Sequence, residues 1–374
     1  VDSIAAPVAS LAIISTWSDF QMSLLEAPYK AYGITENPYI TFINSIPYSF
    51  YCILTVIFMG YLLWTGRDYS NMLKAERRAI RQGKVLADGA QPLTDAEMTK
   101  AGMLVSGASH WTNAMVPILL VVFITVVGLY VTGTSSLAPS NDHSVRNIIG
   151  SSDPYRALIW GSLLAGIIAI LLSNGRGILT LREGVESWVQ GAKSMLMACM
   201  ILVLAWTLGD ICTEVKTADY IISLTEGILT PALLPAVTFL TAALISFCTG
   251  TSWGTMPILV PIAVPLAFKL LGGDPNIVLA DPIYLATFAS ILSGCVFGDH
   301  CSPLSDTTIL SSIASGSDHV DHVRTQLPYA LTTGIISLIF GYAMVSYLPV
   351  GVAIALGTIV VFGVVKFLGR RVDT

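Results

Sequence analysis

The run Phe297-Gly-Asp-His-Cys-Ser-Pro-Leu-Ser-Asp-Thr-Thr308 decides how this chain folds. It breaks an apolar region, Pro282–Ser315, at Gly298–Pro303. A second run, Thr249-Gly-Thr-Ser-Trp-Gly-Thr255, breaks Pro231–Leu271 at Gly250–Thr255 between apolar arms of similar length. Both runs put glycines, hydroxyls or carboxylates at about membrane depth. Backbone that leaves a helix in lipid loses its amide and carbonyl partners, and it survives where protein or a water-filled cavity supplies new ones. An Asp at the bilayer centre costs about 2.5–3.5 kcal/mol on insertion scales. Interruptions this costly mark a working site.

Composition agrees that lipid is the solvent. Of 374 residues, 54% are hydrophobic and 11% charged, with a mean hydropathy of +0.72. Soluble domains carry about 25% charged residues. The expected class is all-α: a polytopic membrane protein with inverted-topology repeats, a re-entrant hairpin and discontinuous transmembrane helices. Spans are expected at Ile46–Trp64, Trp111–Thr132, Tyr155–Leu172, Ala192–Ile211, Leu327–Tyr347 and Pro349–Phe367, each near the ~20 residues of one crossing. Ala5–Ser15 is a further interrupted region. The chain divides into 1–66, the remainder of a first repeat, 67–110, a polar loop, and 111–374, connecting helices and the second repeat. Val1 already reads like the middle of a membrane segment, so an N-terminal portion is expected to be missing.

Charge sets the sidedness. The loop Arg67–His110 holds Arg67, Lys74, Arg77, Arg78, Arg81, Lys84 and Lys100, and positive loops stay cytoplasmic. Its stretch Ser70–Gly83 has the character of a surface helix. Arg146 is the only Lys or Arg of Gly133–Pro154, which falls outside. A hairpin at Pro231–Leu271 then returns the C-terminal Lys366, Arg370 and Arg371 to the cytoplasmic side. A single broken crossing there would leave them outside.

A repeat is visible when Pro7 is laid over Pro303. Pro7-Val-Ala-Ser-Leu-Ala-Ile-Ile-Ser15 then covers Pro303-Leu-Ser-Asp-Thr-Thr-Ile-Leu-Ser311, and Ile46-Pro47-Tyr48 matches Leu327-Pro328-Tyr329. The first copy has a longer intervening loop, Asp19–Phe42. The copies run in opposite directions, a common plan among secondary transporters.

The two breaks carry oxygen-rich chemistry. Thr251, Ser252, Thr255, Ser302, Ser305, Asp306, Thr307 and Thr308, with nearby carbonyls, offer the ligands a hard cation such as Na⁺ prefers. Asp299 and Asp306 are the candidates for reversible protonation. One buried carboxylate binds a cation or a proton but not both well, which is the minimal basis of cation/proton exchange. Gly250, Gly254, Gly298 and Pro303 read as hinges, with close helix packing as the plainer alternative. His300 is a candidate proton relay or a packed neutral imidazole. Trp253 reads as packing. His319 and His322 have a metal-like spacing but read as a solvated inner loop, and Asp210 with Glu214 as an interfacial pair. The six cysteines lack C-x-x-C spacing and read as small packing residues. No resident metal or cofactor is expected, nor a nucleic-acid partner.

These motifs are similar to those of the NhaC family of Na⁺/H⁺ antiporters. The resemblance rests on Gly250–Thr255, on Phe297–Thr308, on Asp321–Ala330 and on Val1–Ser10. It covers nearly the whole chain except Arg67–His110. It implies two inverted repeats, each with a hairpin and a broken helix, and Na⁺ extrusion in exchange for protons at an inner membrane. It also implies a first hairpin preceding Val1. The family includes exchangers of organic solutes such as malate and lactate. Neither motif contains an Arg to hold a carboxylate substrate, which favours the cation. An aspartyl intramembrane protease would need a second embedded Asp facing Asp299, for which Asp210 is the distant candidate, and no filter loop suggests a channel. The expected partners are ions or small solutes and membrane lipid, with a homodimer left open.

Overall fold

The computed structural model describes residues 2–13, 16–90, 110–137, 145–193 and 230–372, with positions 92, 200 and 215 besides. The expected span Ala192–Ile211 lies largely outside the described residues, as do Asp210 and Glu214. The side chains of Asp19 and Asp306 lie outside them too.

The described chain is helical almost throughout. In order it forms α1 (Asp2–Leu11), α2 (Thr16–Ala31), α3 (Pro38–Ser45), α4 (Phe50–Thr65) and α5 (Ser70–Gln82). Next come α6 (Thr112–Ser136), α7 (Val145–Gly150), α8 (Pro154–Gly175) and α9, helical over 181–193. The last group is α10 (Leu234–Thr249), α11 (Ser252–Leu270), α12 (Pro275–Val278), α13 (Pro282–Cys301), α14 (Asp306–Ser315), α15 (His319–Ile336) and α16 (Val350–Leu368). Among the described residues six helices are long and apolar enough to cross a bilayer, and the bent pair Pro38–Tyr48 and Phe50–Thr65, at 47°, makes a seventh. The chain is a multi-pass membrane protein.

Two expectations are corrected here. Asp19–Phe42 is not a loop: α2 fills it to Ala31 and α3 resumes at Pro38, capped by Asn37, whose Oδ1 accepts from Tyr39 N at 2.9 Å. His319–Arg324 is not a loop either, because α15 begins at His319. The Asp318 carboxylate caps it by accepting from Asp321 N at 2.8 Å, the usual role of Asp at an N-cap. The repeat's two prolines also differ in setting. Pro7 lies inside α1, whereas Pro303 lies in the break between α13 and α14.

The chain forms two compact units, one of Val1–Ile13, Phe20–Leu93 and Ala198–Thr374, the other of Ile14–Asp19 and Thr94–Met197. In the smaller unit α6 and α8 run antiparallel. Gly128 meets Ala157, and Gly161 meets Val121 and Thr125. Close approach through small residues is how helices associate in lipid. Most of the remaining surface of this pair is exposed Val, Ile, Leu and aromatic side chains.

In the larger unit α13 is the axis, buried at nearly every position from Tyr284 to Cys301. Its Gly294 lies against Phe239 and Ala243 of α10, and Gly298 lies against Ser246 and Phe247. The residue numbers rise together, so α10 and α13 run parallel. Only residues 271–281 join α11 to α13, and they include the turn α12. Were α11 to continue α10 in line, that link would have to cover roughly 60 Å, beyond its reach. α11 therefore turns back, and α10–α11 is a helical hairpin. Gly250 makes the turn with φ 71°, a conformation that suits glycine. α11 carries Pro257, Pro261 and Pro265, with Pro257 and Pro261 exposed.

A layer of α4, α15 and α16 completes the unit. Leu54, Phe58, Tyr69, Tyr329, Ile336 and Val361 pack there. A short ladder closes one end: β1 (Arg67–Asp68) pairs antiparallel with β2 (Arg370–Arg371), and Arg67 donates to the Lys366 carbonyl at 2.9 Å. The surface helix expected near Ser70–Gly83 is α5, which buries no residue fully. Its Arg78 pairs with Asp321 at 3.2 Å.

A methyl group at Gly298 would collide with Ser246 and Phe247, whereas one at Gly363 meets nothing within 4 Å. Overpacking of this kind costs about 1–3 kcal/mol. Gly298→Ala is expected to melt at a clearly lower temperature in detergent than the parent, and Gly363→Ala at the parent's temperature.

Candidate functional site

The two breaks expected from the sequence touch. A Cβ on Gly250 would lie 2.5 Å from the carbonyl oxygen of Leu304. Helix α10 ends at Thr249, and its last carbonyls have no helical donor. Ser302, at the end of α13, meets one of them, donating from Oγ to Phe247 O at 2.8 Å. Ser246 on α10 returns the favour by donating to Cys295 O at 2.8 Å. The parallel helices α10 and α13 thus end side by side, with the carbonyl-rich, negative ends of both dipoles close together.

Asp299 sits one turn before the break and is 1% exposed. Its Oδ1 accepts from Ser305 Oγ at 2.7 Å. Its carbonyl accepts from Thr307 Oγ1 at 3.4 Å and Thr308 Oγ1 at 3.3 Å. Ser305 and Thr307 lie 2.8 Å apart. The four sequence-predicted residues Asp299, Ser305, Thr307 and Thr308 therefore form one cluster folded across the break. A hydroxyl that spends its hydrogen on a carbonyl or carboxylate keeps lone pairs for another cation, and oxygens of this kind suit Na⁺. Among the described residues no three His, Cys, Asp or Glu side chains gather as a metal site.

The hairpin's hydroxyls flank the other break. Thr251 caps α11, its Oγ1 accepting from Gly254 N at 3.3 Å. Thr255 donates back to Thr251 O at 2.8 Å. Ser252 is buried, and its Oγ has no hydrogen-bond partner among the described residues. Among the described residues no hydrogen bond joins these three to the Asp299 cluster. The contact between the breaks runs instead through Gly250 and Ser302. Gly254 lies inside α11, so it is part of the helix and not of the turn. Pro303 is exposed, and His319 Nε2 donates to its carbonyl at 2.8 Å. Trp253 packs on Phe20, with ring centroids 4.6 Å apart.

His300 bonds to groups outside this cluster. Its Nδ1 pairs with Tyr51 Oη at 2.6 Å, and its carbonyl accepts from Gln326 Nε2 at 2.6 Å. His322 Nε2 pairs with the Asp2 carboxylate at 2.8 Å. Sequence reasoning missed Asp2, Tyr51 and Gln326, which come from three helices far apart in the chain. One signal was available: His322 and Gln326 are four residues apart and share a helix face once Asp318 is read as the cap of α15.

Residues 8–364 match the Na⁺/H⁺ antiporter family. The chain belongs to that family. An uncharacterised protein of Haemophilus influenzae is 32% identical over 99% of the chain and 67% of its own length. The arginine/ornithine antiporter ArcD of Halobacterium salinarum is 31% identical over 50% of the chain and 36% of its own length. The Na⁺/H⁺ antiporter NhaC of Alkalihalophilus pseudofirmus is 26% identical over 50% of the chain and 38% of its own length. The chain thus spans about two thirds of the first relative and little more than a third of the other two. No solved structure matches it. The NhaC-like motifs and the all-α membrane architecture expected from the sequence are both in place in this antiporter-family chain.

Ser302 is the residue to remove to test the junction. Ser302→Ala leaves the Phe247 carbonyl without its donor, a loss of about 1–3 kcal/mol for a buried group. The variant is expected to unfold at lower temperature in detergent, and the half-exposed Ser311 changed to Ala is expected to match the parent.

Proposed function

We propose that this antiporter-family chain carries the transport site of a secondary transporter that exchanges Na⁺ for H⁺ by alternating access. The observation that carries the reading is Asp299, a buried carboxylate held by Ser305 where the broken helix meets the hairpin turn. In this reading Asp299, Ser305, Thr307 and Thr308 hold the cation, with Asp306, Ser302 and the hairpin's Thr251, Ser252 and Thr255 as further oxygens. Desolvation favours the protonated acid, and a bound cation favours the carboxylate. Cation and proton therefore displace one another. Gly250 and Gly298 let the hairpin and broken helix pack closely and move as a unit. No resident cofactor enters this scheme.

The loop 67–110 and the C-terminus are assigned to the cytoplasmic face of an inner membrane. The β1–β2 pairing supports a shared side for both, and their basic residues favour the cytoplasmic one. A second reading draws support from the arginine/ornithine antiporter and the malate/lactate antiporter among the relatives: exchange of an organic solute coupled to Na⁺ or H⁺.

The test uses the full-length protein in everted membrane vesicles with a preformed pH gradient. Added Na⁺ is expected to dissipate the gradient, and Asp299→Asn and Asp306→Asn are each expected to reduce the response at least tenfold. Dissipation by arginine, ornithine or malate with no response to Na⁺ would favour the second reading.

A further inference from the structure

A second buried carboxylate, on α1, lies outside the hydrogen-bonded cluster of Asp299. Asp2 of α1 is 5% exposed. Its Oδ2 lies 2.8 Å from His322 Nε2, while its Oδ1 is buried with no hydrogen-bond partner among the described residues. One turn beyond His322 stands Gln326, which is 1% exposed. Its Nε2 is committed to the His300 carbonyl at 2.6 Å, and its Oε1 is likewise buried without a partner. Two neighbouring side chains thus each hold a buried oxygen that can only accept and that meets no donor among the described residues. Leaving such groups unmet costs about 1–3 kcal/mol each. A single proton on Asp2 corrects this, because a carboxylic acid is a donor as well as an acceptor.

His322 supplies the route. Its side chain is 23% exposed and Asp2's is 4% exposed, so the couple joins the surface of the described chain to its interior. We propose that Asp2 is a proton-carrying site, loaded and unloaded through His322, and separate from the cation site at Asp299. The proposal rests on the Na⁺/H⁺ reading above: Asp299 stays the carboxylate where cation and proton compete, and the Asp2–His322 couple is the relay that carries the proton to and from water. The transfer balances simply. His322 takes a proton from water at Nδ1 and passes the one on Nε2 to Asp2, which goes from anion to neutral acid. The new O–H then serves the acceptors around it. Unloading reverses the path.

The titratable groups that act on Asp2 are His322 on α15 and His300 on α13, and Asp321 of α15 is already paired with Arg78 of α5. No Lys or Arg bonds to Asp2 among the described residues, so loss of its charge breaks no fixed ion pair with a permanent cation. Gln326 acts through Asp2 and is a positioning residue.

The experiment uses full-length protein reconstituted in vesicles, with two readouts: ²²Na⁺/Na⁺ exchange, which needs no proton, and Na⁺-driven proton movement. Asp2→Asn is expected to lower Na⁺-driven proton movement at least tenfold while ²²Na⁺ still exchanges. Equal loss of both readouts overturns the proposal, because Asp2 would then serve the cation or the fold. Unchanged proton movement overturns it as well. His322→Gln keeps the Asp2 carboxylate and decides the matter if Asp2→Asn fails to reach the membrane. It is expected to slow proton movement about tenfold, with recovery on adding imidazole, and full activity without imidazole would overturn the relay. The parent protein is the control for the underlying reading: if it moves no protons in response to Na⁺, that reading fails, whatever the variants do.

Discussion

Two helices that stop inside the molecule must satisfy each other's loose ends, and this constraint governs the larger unit. In water the last carbonyls of α10 would bind solvent. In a protein solvated by lipid they need a donor from the chain itself. Ser302 is that donor, and it can reach Phe247 only because Gly294 and Gly298 let α10 and α13 lie almost backbone to backbone. The parallel course of the two helices, the return of α11 and the burial of α13 all follow from that approach. The same approach brings the Gly250 turn against Leu304, so the hairpin and the broken helix share one junction.

The polar groups near this junction divide into two hydrogen-bonded sets. Asp299, Ser305, Thr307 and Thr308 are knit by short-range bonds within one connected stretch of chain. Asp2, His322 and Gln326 come from α1 and α15 and meet only through tertiary packing. The first set is compact and rich in hydroxyls. The second is sparse, with a His–Asp couple reaching toward the surface of the described chain.

This division also explains what could be read in advance. The Asp299 set was legible because its members are neighbours in sequence, bracketed by Gly298 and Pro303 within an apolar run. Most spans were legible from their length and composition. The junction itself was legible only as two interruptions, since no sequence rule says that Ser302 must reach Phe247. The Asp2 set was hidden because its partners are about 320 residues apart. His319 and His322 looked like loop residues because Gly316, Ser317 and the charges after them suggest solvent. The Asp318 cap pointed the other way. The stretch Asp19–Phe42 misled similarly: its polar residues and Pro28 mask α2, in which Pro28 is tolerated. The equivalence of Pro7 and Pro303 captured similar residues but not similar backbone.

The three prolines of α11 have a consequence for what surrounds the molecule. Each withholds an amide that a helix would offer to the carbonyl one turn earlier, and their four-residue spacing stacks the vacated positions along a single stripe. Pro257 and Pro261 are exposed, so the stripe faces outward. Acyl chains offer nothing to such oxygens. This flank of the hairpin is therefore shaped to stand against a hydrated crevice or another polypeptide surface, which makes α11 a partition between wet and oily territory instead of an ordinary lipid-facing wall.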